Sequence, residues 1–168
     1  QADVILSLDA DFLESRPANL AYARQFSHRR DPKMGPLNRL YVAEARYSIT
    51  GGMADHRLRI RSQDVLGVAA AVAQAVGGAA AGLAGAAAGK AGALADTAQS
   101  WIQAVVGDLR AAPGRSVVVA GERQPAAVHA LAQAINDALG NTGRTVRYVP
   151  IAAEGSGLAG IRELVEEI

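Results

Sequence analysis

The sequence predicts an α/β fold, with a Rossmann-like parallel sheet layered with helices. Short apolar runs alternate along the chain with longer segments whose apolar residues recur every three or four positions. Half of the 168 residues are hydrophobic but only 4% are aromatic, so the core must be built from Val, Leu, Ile and Ala. Strands that alternate with helices are typical of a parallel sheet covered by helices.

The first half of the chain contains three strand-like runs separated by helical segments and loops. Ala2–Ala10 is an apolar run that ends in Asp9, and Pro17 precedes a helical segment. The stretch "DPKMGP" at 31–36 indicates a loop, and Asp64 is a candidate N-cap for the next helix. In order, the predicted elements are a strand at 2–10, a helix at 18–27, strands at 39–44 and 57–61, and a helix that begins at 65.

The middle of the chain is a low-complexity Ala/Gly segment from Gly77 to Asp96. Alanine favours a helix, whereas each glycine costs about 1 kcal/mol of helix propensity, so we expect a frayed helix or a mobile insertion. We do not expect a membrane span over 65–89, since Ala and Gly add little insertion energy. The predicted organisation is a first α/β lobe at 1–76, an insertion or linker at 77–95, and a second α/β lobe at 96–168.

The second half repeats the alternation of helices and strands. Trp101, Val105 and Leu109 recur at four-residue spacing and predict a helix, and a second apolar stripe follows Pro125 and stops at Gly140. In order, the predicted elements are a helix at 96–111, a buried strand at 114–121, a helix at 125–139, a strand at 144–151 and an amphipathic helix at 158–168.

Charge and residue types exclude several classes of function. The net charge of +1, from 17 basic and 16 acidic residues, argues against an electrostatic nucleic-acid binder. Cysteine is absent, so the segment offers no thiol nucleophile and no thiolate ligand for an iron–sulfur cluster. His28, His56 and His129 are scattered without metal-ligand spacing, and no serine lies in a nucleophile elbow. We therefore predict no catalytic residue and no metal ligand.

A candidate nucleotide site follows from the strand ends, because ligands of parallel sheets bind at the carboxyl ends of strands. Those ends are Asp9, Glu44–Arg46, Gly121–Arg123 and Pro150. Glu44 could accept hydrogen bonds from ribose hydroxyls and Arg46 could pair with a phosphate, or the two could form an exposed ion pair. The stretch "AGERQP" is a candidate phosphate loop, although it lacks a glycine fingerprint, and a plain strand–helix turn is favoured.

Taken in order, three segments resemble the large subunit of molybdopterin oxidoreductases of the dimethyl sulfoxide reductase type. "ADVILSLDADFL" is similar to that family's "ADxIlxxGxNp", and "RLYVAEARYSITGGMADHRLRIRSQD" is similar to "lixVDPRxTxTaxxADxxLxIrPGTD". "GRSVVVAGERQPAAVHALAQAINDALGNTGRTVRYV" resembles the later strand–helix–"lxGNxG" segment. The resemblance covers most of residues 2–150 outside the Ala/Gly segment.

The resemblance implies three cofactor-binding positions, Glu44, Arg46 and Asp64. Glu44 replaces the aspartate that contacts the guanosine of the pterin cofactor in the family, Arg46 is kept, and Asp64 ends a shortened guanine-contacting loop. Asp9 replaces a small residue beside the nucleotide, where an extra carboxylate is unfavourable. These departures imply a pocket that is filled or abandoned. Glu44 would then pair locally with Arg46 or Arg61.

Four stretches are similar to one branch in particular: "SLDADFL", "YARQFSHRR", "NRLYVAEARYSITGGMADHRLRIR" and "VVVAGERQPAAVHALAQAINDALGNTGRTVRYV". That branch is the iron–sulfur subunit of bacterial alternative complex III. This resemblance implies a piece of a larger subunit, with no cofactor of its own and with iron–sulfur clusters elsewhere in the parent. It implies other subunits of a quinol-oxidising respiratory complex as partners, and a peripheral place at the periplasmic, outer face of the cytoplasmic membrane. The alternative is a genuine domain that binds molybdopterin guanine dinucleotide through Glu44, Arg46 and Asp64.

Overall fold

A computed structural model describes residues 2–14, 18–88, 96–148, 162 and 164–167 of the chain. Four parallel strands form one sheet in the order β3-β2-β1-β4. The strands are β1 (Val4–Leu8), β2 (Arg39–Glu44), β3 (His56–Arg59) and β4 (Ser116–Ala120). The predicted α/β, Rossmann-like parallel sheet is thereby confirmed.

Six helices connect and cover the strands in the described part of the chain. They are α1 (Asn19–His28), α2 (Ile49–Gly52), α3 (Val65–Val76), α4 (Ala79–Ala88), α5 (Asp96–Ala111) and α6 (Ala126–Ala138). Short 3-10 turns lie at Pro32–Met34 and Ser62–Asp64.

Alternating side chains of β1 build two separate cores on the two faces of the sheet. Leu6 and Leu8 lie in the larger core, which α3, α4, α5 and α6 cover. Ile5 points to the other face and packs with Phe26 of α1 in a smaller core. A strand that is apolar on both faces is the pattern of a covered parallel sheet, which is why "VILSL" has no polar alternation.

The crossover from β3 to β4 carries the chain over β2 and β1 and places β4 beside β1. Val4 of β1 lies opposite Arg39 of β2 on one side and opposite Ser116 of β4 on the other. Strands of the predicted lobes 1–76 and 96–168 therefore contribute to one sheet. The strand order reverses between β1 and β4, and this reversal creates a crevice at the carboxyl ends of the two strands.

The Ala/Gly segment differs from the prediction over Ala79–Ala88, which form helix α4 rather than a frayed or mobile stretch. Ala80, Ala84 and Ala87 are buried in the larger core. Their small side chains let α4 approach its neighbours closely, and this burial outweighs the low helix propensity of the glycines. Residues 89–95 of the predicted insertion lie outside the described residues.

Asp64 precedes α3, as predicted, but its side chain does not cap the helix. The carboxylate instead accepts hydrogen bonds from Arg61, at 2.8 Å from Nε and 3.2 Å from Nη2. The Asp64 carboxylate therefore bonds to Arg61 and not to the backbone N–H groups of α3.

The outer edge of β4 is capped by side chains rather than by a further strand. The Asn136 side chain of α6 accepts from the N–H of Val118 at 2.9 Å and donates to its carbonyl oxygen at 2.8 Å. Asn141 accepts from the N–H of Ser116 at 3.3 Å, and the Thr145 hydroxyl donates to the Ser116 carbonyl oxygen. These side chains occupy the positions that a neighbouring strand would need. The predicted strand at 144–151 is accordingly wrong over 144–148, where the chain forms a turn and an isolated bridge.

Of the predicted amphipathic helix at 158–168, residues 162 and 164–166 are helical, and most of the rest lies outside the described residues. Within the described part of the chain, no helix combines the length and the apolar character that crossing a bilayer requires.

Candidate functional site

A cleft of about 280 Å³ lies where the strand order reverses, at the carboxyl ends of β1, β2 and β4. The sequence predicted this location from the strand ends. The predicted strand-end residues Asp9, Arg46, Gly121, Glu122 and Arg123 all line the cleft, together with Ala10, Asp11, Ala45 and Ser62. Glu44, also a predicted strand end, does not line the cleft, and Pro150 lies outside the described residues.

Asp9 holds the cleft together. It adopts the left-handed backbone conformation, with φ of 57°, which aspartate tolerates better than most side chains at a cost of about 1–2 kcal/mol. Its carboxylate accepts from the N–H of Ala45 at 3.3 Å and from Nε2 of Gln124 at 2.8 Å. The same Gln124 nitrogen lies 3.2 Å from Oγ of Ser62. Asp9 thus ties together the loops that follow β1, β2 and β4.

Gly121, in the candidate phosphate loop, is required by a neighbouring backbone rather than by a ligand. A Cβ at this position would lie 2.0 Å from the carbonyl oxygen of Asp9. Its N–H donates to the carbonyl oxygen of Leu8 at 2.9 Å. The close approach of the β1 and β4 loops therefore explains the glycine of "AGERQP", in agreement with a plain strand–helix turn.

Asp11 holds the start of α2 from the β1 loop. Its Oδ1 accepts from the N–H of Thr50 at 3.1 Å and from the Thr50 hydroxyl at 2.7 Å. The Thr50 hydroxyl oxygen in turn accepts from the N–H of Leu13 at 3.1 Å. This carboxylate therefore occupies backbone and hydroxyl donors beside the cleft.

Glu44 points away from the cleft and into the protein. Only 2% of the residue is exposed, so the exposed ion pair considered from the sequence is wrong. Its carboxylate accepts from the Ser48 hydroxyl at 2.5 Å and from Nε of Arg57 at 2.6 Å. The partner is Arg57, not Arg46 or Arg61 as predicted. A Cβ on Gly51 would lie 1.9 Å from the carboxylate, so only glycine leaves room for it.

Of the three predicted cofactor positions, only Arg46 lines the cleft. Asp64 is held by Arg61, whose hydrogen bonds lower the pKa of the Asp64 carboxyl below its ordinary value. Glu44 is satisfied by Ser48 and Arg57. The structure therefore does not bring Glu44, Arg46 and Asp64 together as one ligand shell.

The charges around the cleft do not favour a diphosphate. Three carboxylates, of Asp9, Asp11 and Glu122, face two guanidinium groups, of Arg46 and Arg123. A carboxylate close to a phosphate is repelled at short range in a partly desolvated cleft. The residues present do not fit the guanosine diphosphate part of the pterin cofactor.

The sequence did not predict four residues that build this site, which are Asp11, Ser48, Arg57 and Gln124. A signal existed for Ser48, because a serine three residues before a glycine-rich turn is a typical N-cap, and its Oγ accepts from Gly51 N–H at 2.9 Å. Asp11, Arg57 and Gln124 meet their partners only through the tertiary fold.

A comparison with protein-family models found no match to the chain, and a comparison with curated proteins found none either. Among the described residues, no group of three or more His, Asp or Glu side chains is placed to hold a metal ion.

Proposed function

We propose that the chain is a molybdopterin-oxidoreductase-like domain that has no cofactor of its own and performs no catalysis. It serves as a structural and docking part of a membrane-associated, quinol-oxidising respiratory electron-transfer complex. In this proposal its partners are other subunits of the complex at the outer face of the cytoplasmic membrane. The iron–sulfur clusters of the parent subunit lie elsewhere.

One observation carries the cofactor-free part of the proposal. In the loop after β2, three backbone N–H groups donate to the protein's own carboxylates. Ala45 donates to Asp9 at 3.3 Å, Ser48 to Glu44 at 3.3 Å and Thr50 to Asp11 at 3.1 Å. Backbone N–H groups of such loops are the donors that a nucleotide phosphate uses. Asp9 and Asp11 line the cleft, so a nucleotide there would have to displace two carboxylates that are already hydrogen-bonded. Glu44 engages the N–H group of Ser48 from inside the protein.

Cofactor release and titration test this part directly. The purified protein is denatured and its supernatant analysed for pterin, guanine nucleotide and molybdenum, and guanosine diphosphate is titrated calorimetrically into the folded protein. We expect no stoichiometric pterin and a Kd weaker than about 1 mM, or less than about 4 kcal/mol of binding free energy. Stoichiometric pterin with molybdenum would refute the proposal and make Arg46 a ligand.

The Asp9→Gly variant distinguishes a nucleotide pocket that only the Asp9 side chain blocks from one in which Glu44 and Asp64 are also unable to bind a nucleotide. It removes the carboxylate and relieves the left-handed conformation at Asp9, while Glu44 and Asp64 stay engaged with Arg57 and Arg61. We expect guanosine diphosphate binding to remain weaker than about 1 mM in this variant too. Micromolar binding by Asp9→Gly would show an intact nucleotide pocket behind a single blocking side chain.

Exposed apolar side chains around α1 and α2 support the docking part of the proposal. Tyr47, Ile49 and Met53 of the α2 region are exposed, and so are Leu20, Met34 and Leu37 of α1 and the loop that follows it. We call these six side chains the α1–α2 surface. In the proposal a partner subunit covers these exposed side chains, since a protein–protein interface buries large apolar residues.

A matched pair of charge substitutions tests docking in the native host. Ile49→Glu places a charge on the α1–α2 surface, and Leu83→Glu places one on exposed Leu83 of α4, on the opposite side of the sheet. We expect Ile49→Glu to lower several-fold the share of the protein that sediments with the membrane complex, and Leu83→Glu to leave it unchanged. Equal retention of both variants at the level of the natural protein would refute docking through this surface.

A further inference from the structure

A second cleft, which we call the α1–β4 groove, lies on the face of the sheet that carries α1. Its volume is about 280 Å³, near the lower end of the range of about 300–1,000 Å³ that is typical of ligand pockets. Apolar side chains form most of its walls, and they include Ile5 of β1, Phe26 of α1 and Val117 and Val119 of β4. The two valines are only partly buried, so the groove has the size and the lining for an apolar molecule of one or two rings.

A buried amide that lacks a hydrogen-bond donor lies in the wall of this groove. Asn38, which precedes β2, lines the groove and is only 4% exposed. Its Oδ1 accepts no hydrogen bond from the described part of the chain. A buried acceptor without a donor is destabilising, and the terminal torsion of asparagine is soft enough to turn the amide toward a molecule in the groove. A ligand hydroxyl that donates to Oδ1 would therefore satisfy this group.

The charged side chains that line the groove are arginines. Arg29 and Arg147 line it, and no carboxylate does so among the described residues. Arg29 is held by the carboxylate of Asp3, which is shared with Arg115. Arg147 is exposed and forms no ion pair with a described residue. The groove therefore disfavours a cation, and Arg147 is free to pair with the carboxylate of a ligand.

We propose that the α1–β4 groove binds a small aromatic acid that carries a hydroxyl group. The ring packs against Phe26 and the valines of β4, the hydroxyl donates to Oδ1 of Asn38, and the carboxylate pairs with Arg147. The proposal does not rest on the function proposed above, since it concerns the face of the sheet away from α3–α6 and a different cleft.

A titration of the full chain with 6-hydroxy-2-naphthoate, followed by the NMR signals of methyl groups, tests whether the groove is a site. Ile5, Val117 and Val119 report on the groove, and Leu6 and Leu8 in the core on the other face of the sheet are the control. We expect saturable shifts of the groove methyls with a Kd below about 1 mM and no shift of the two leucines. The absence of a saturable shift, or similar shifts on both faces, would overturn the proposal.

A second probe, 2-naphthoate, tests the contact with Asn38 because it lacks only the hydroxyl. We expect it to bind the natural protein about tenfold more weakly, which corresponds to about 1.4 kcal/mol. Asn38→Leu removes the acceptor at similar volume, so the two probes should bind this variant equally. Urea unfolding should show no loss of stability in Asn38→Leu, since the amide oxygen that it removes has no donor. Equal affinities of the two probes for the natural protein would contradict the role of Asn38.

The Arg147→Gln variant tests the pairing with the carboxylate. Arg147 is exposed, so the substitution leaves the fold intact. We expect the affinity for 6-hydroxy-2-naphthoate to fall several-fold, and the affinity for 2-naphthol, which has no carboxylate, to stay unchanged. Arg123→Gln makes the same charge change at an exposed arginine of the other cleft and should have no effect on either probe. An equal loss of affinity in both variants, or no loss in Arg147→Gln, would refute this pairing.

Discussion

Replacing Gly51 by alanine tests the assignment of Glu44 as an internal, structural carboxylate. The new Cβ would lie 1.9 Å from Oε1 of Glu44, so the carboxylate must leave its place beside Ser48 and Arg57. Breaking a buried ion pair costs about 3–5 kcal/mol. Alanine is more favourable than glycine in a helix by about 1 kcal/mol, which offsets part of this cost. We therefore expect a net loss of about 2–4 kcal/mol in the free energy of unfolding.

Urea unfolding, followed by fluorescence, measures this loss. The single tryptophan, Trp101, lies edge-on to Tyr41 with ring centroids 5.6 Å apart and donates to the His56 carbonyl oxygen at 3.1 Å. Its emission therefore reports on the contact of α5 with β2 and β3. Linear extrapolation of the transition gives the free energy of unfolding for each variant.

Gly52→Ala is the matched control, because the two glycines are neighbours in α2. Its Cβ would meet only the hydroxyl end of the exposed Tyr47 side chain, 3.2 Å away, which can move aside. We expect its stability to change by less than about 1 kcal/mol. In a Glu44→Ala background, Gly51→Ala should add less than about 1 kcal/mol of further loss, since the clash is gone. If Gly51→Ala is no more destabilising than Gly52→Ala, Glu44 does not lie where the structure has it.

Three further predictions concern other contacts. Gly121→Ala would place a Cβ 2.0 Å from a backbone carbonyl oxygen that cannot move aside, so we expect a loss of about 3 kcal/mol in urea unfolding. Burial and the hydrogen bond to Asp108 raise the pKa of Tyr41 to about 12. Since the protonated phenol is the form that the fold favours, stability should be present below pH 10 and fall as the pH rises towards 12, and Tyr41→Phe should weaken that fall. Burial acts to raise the pKa of Asp55, but hydrogen bonds from Arg30 and from a backbone N–H outweigh it and lower that pKa. The carboxylate therefore adds stability above the ordinary pKa of 3.8 and loses it below, so Asp55→Asn should flatten the acid side of the stability curve.

The sheet and the position of the cleft could be predicted from sequence because they depend on local patterns. Apolar runs such as Val117–Val119 mark strands, and parallel strands bring their carboxyl ends to one edge. The chemistry of the cleft could not be predicted in the same way. Whether Glu44 faces a ligand or the protein depends on Gly51 and Arg57, which reach it only when α2 and β3 are in place.

Helix propensity and strand composition gave wrong predictions for two segments whose structure depends on tertiary contacts. Glycines lowered the expectation of a helix at Ala79–Ala88, yet burial of Ala80 and Ala84 against the larger core stabilises one. The run at 144–148 has the composition of a strand. The N–H and carbonyl groups of Val118 in β4, with which such a strand would pair, are instead hydrogen-bonded to the Asn136 side chain. A side-chain amide that imitates a peptide group has no signature in a single sequence.

The amide of Asn136 has a consequence for how this protein can associate with others. An uncapped edge strand is a template on which another chain can add a strand, and such growth leads to fibrils or domain swapping. At β4 the Val118 peptide group on that edge is engaged. At the opposite edge β3 is only four residues long and carries the exposed Arg59, whose charge discourages pairing. Strand addition is therefore disfavoured at both ends of the sheet. Specific partners are left with the helical faces and the clefts, where recognition depends on side chains and not on backbone alone.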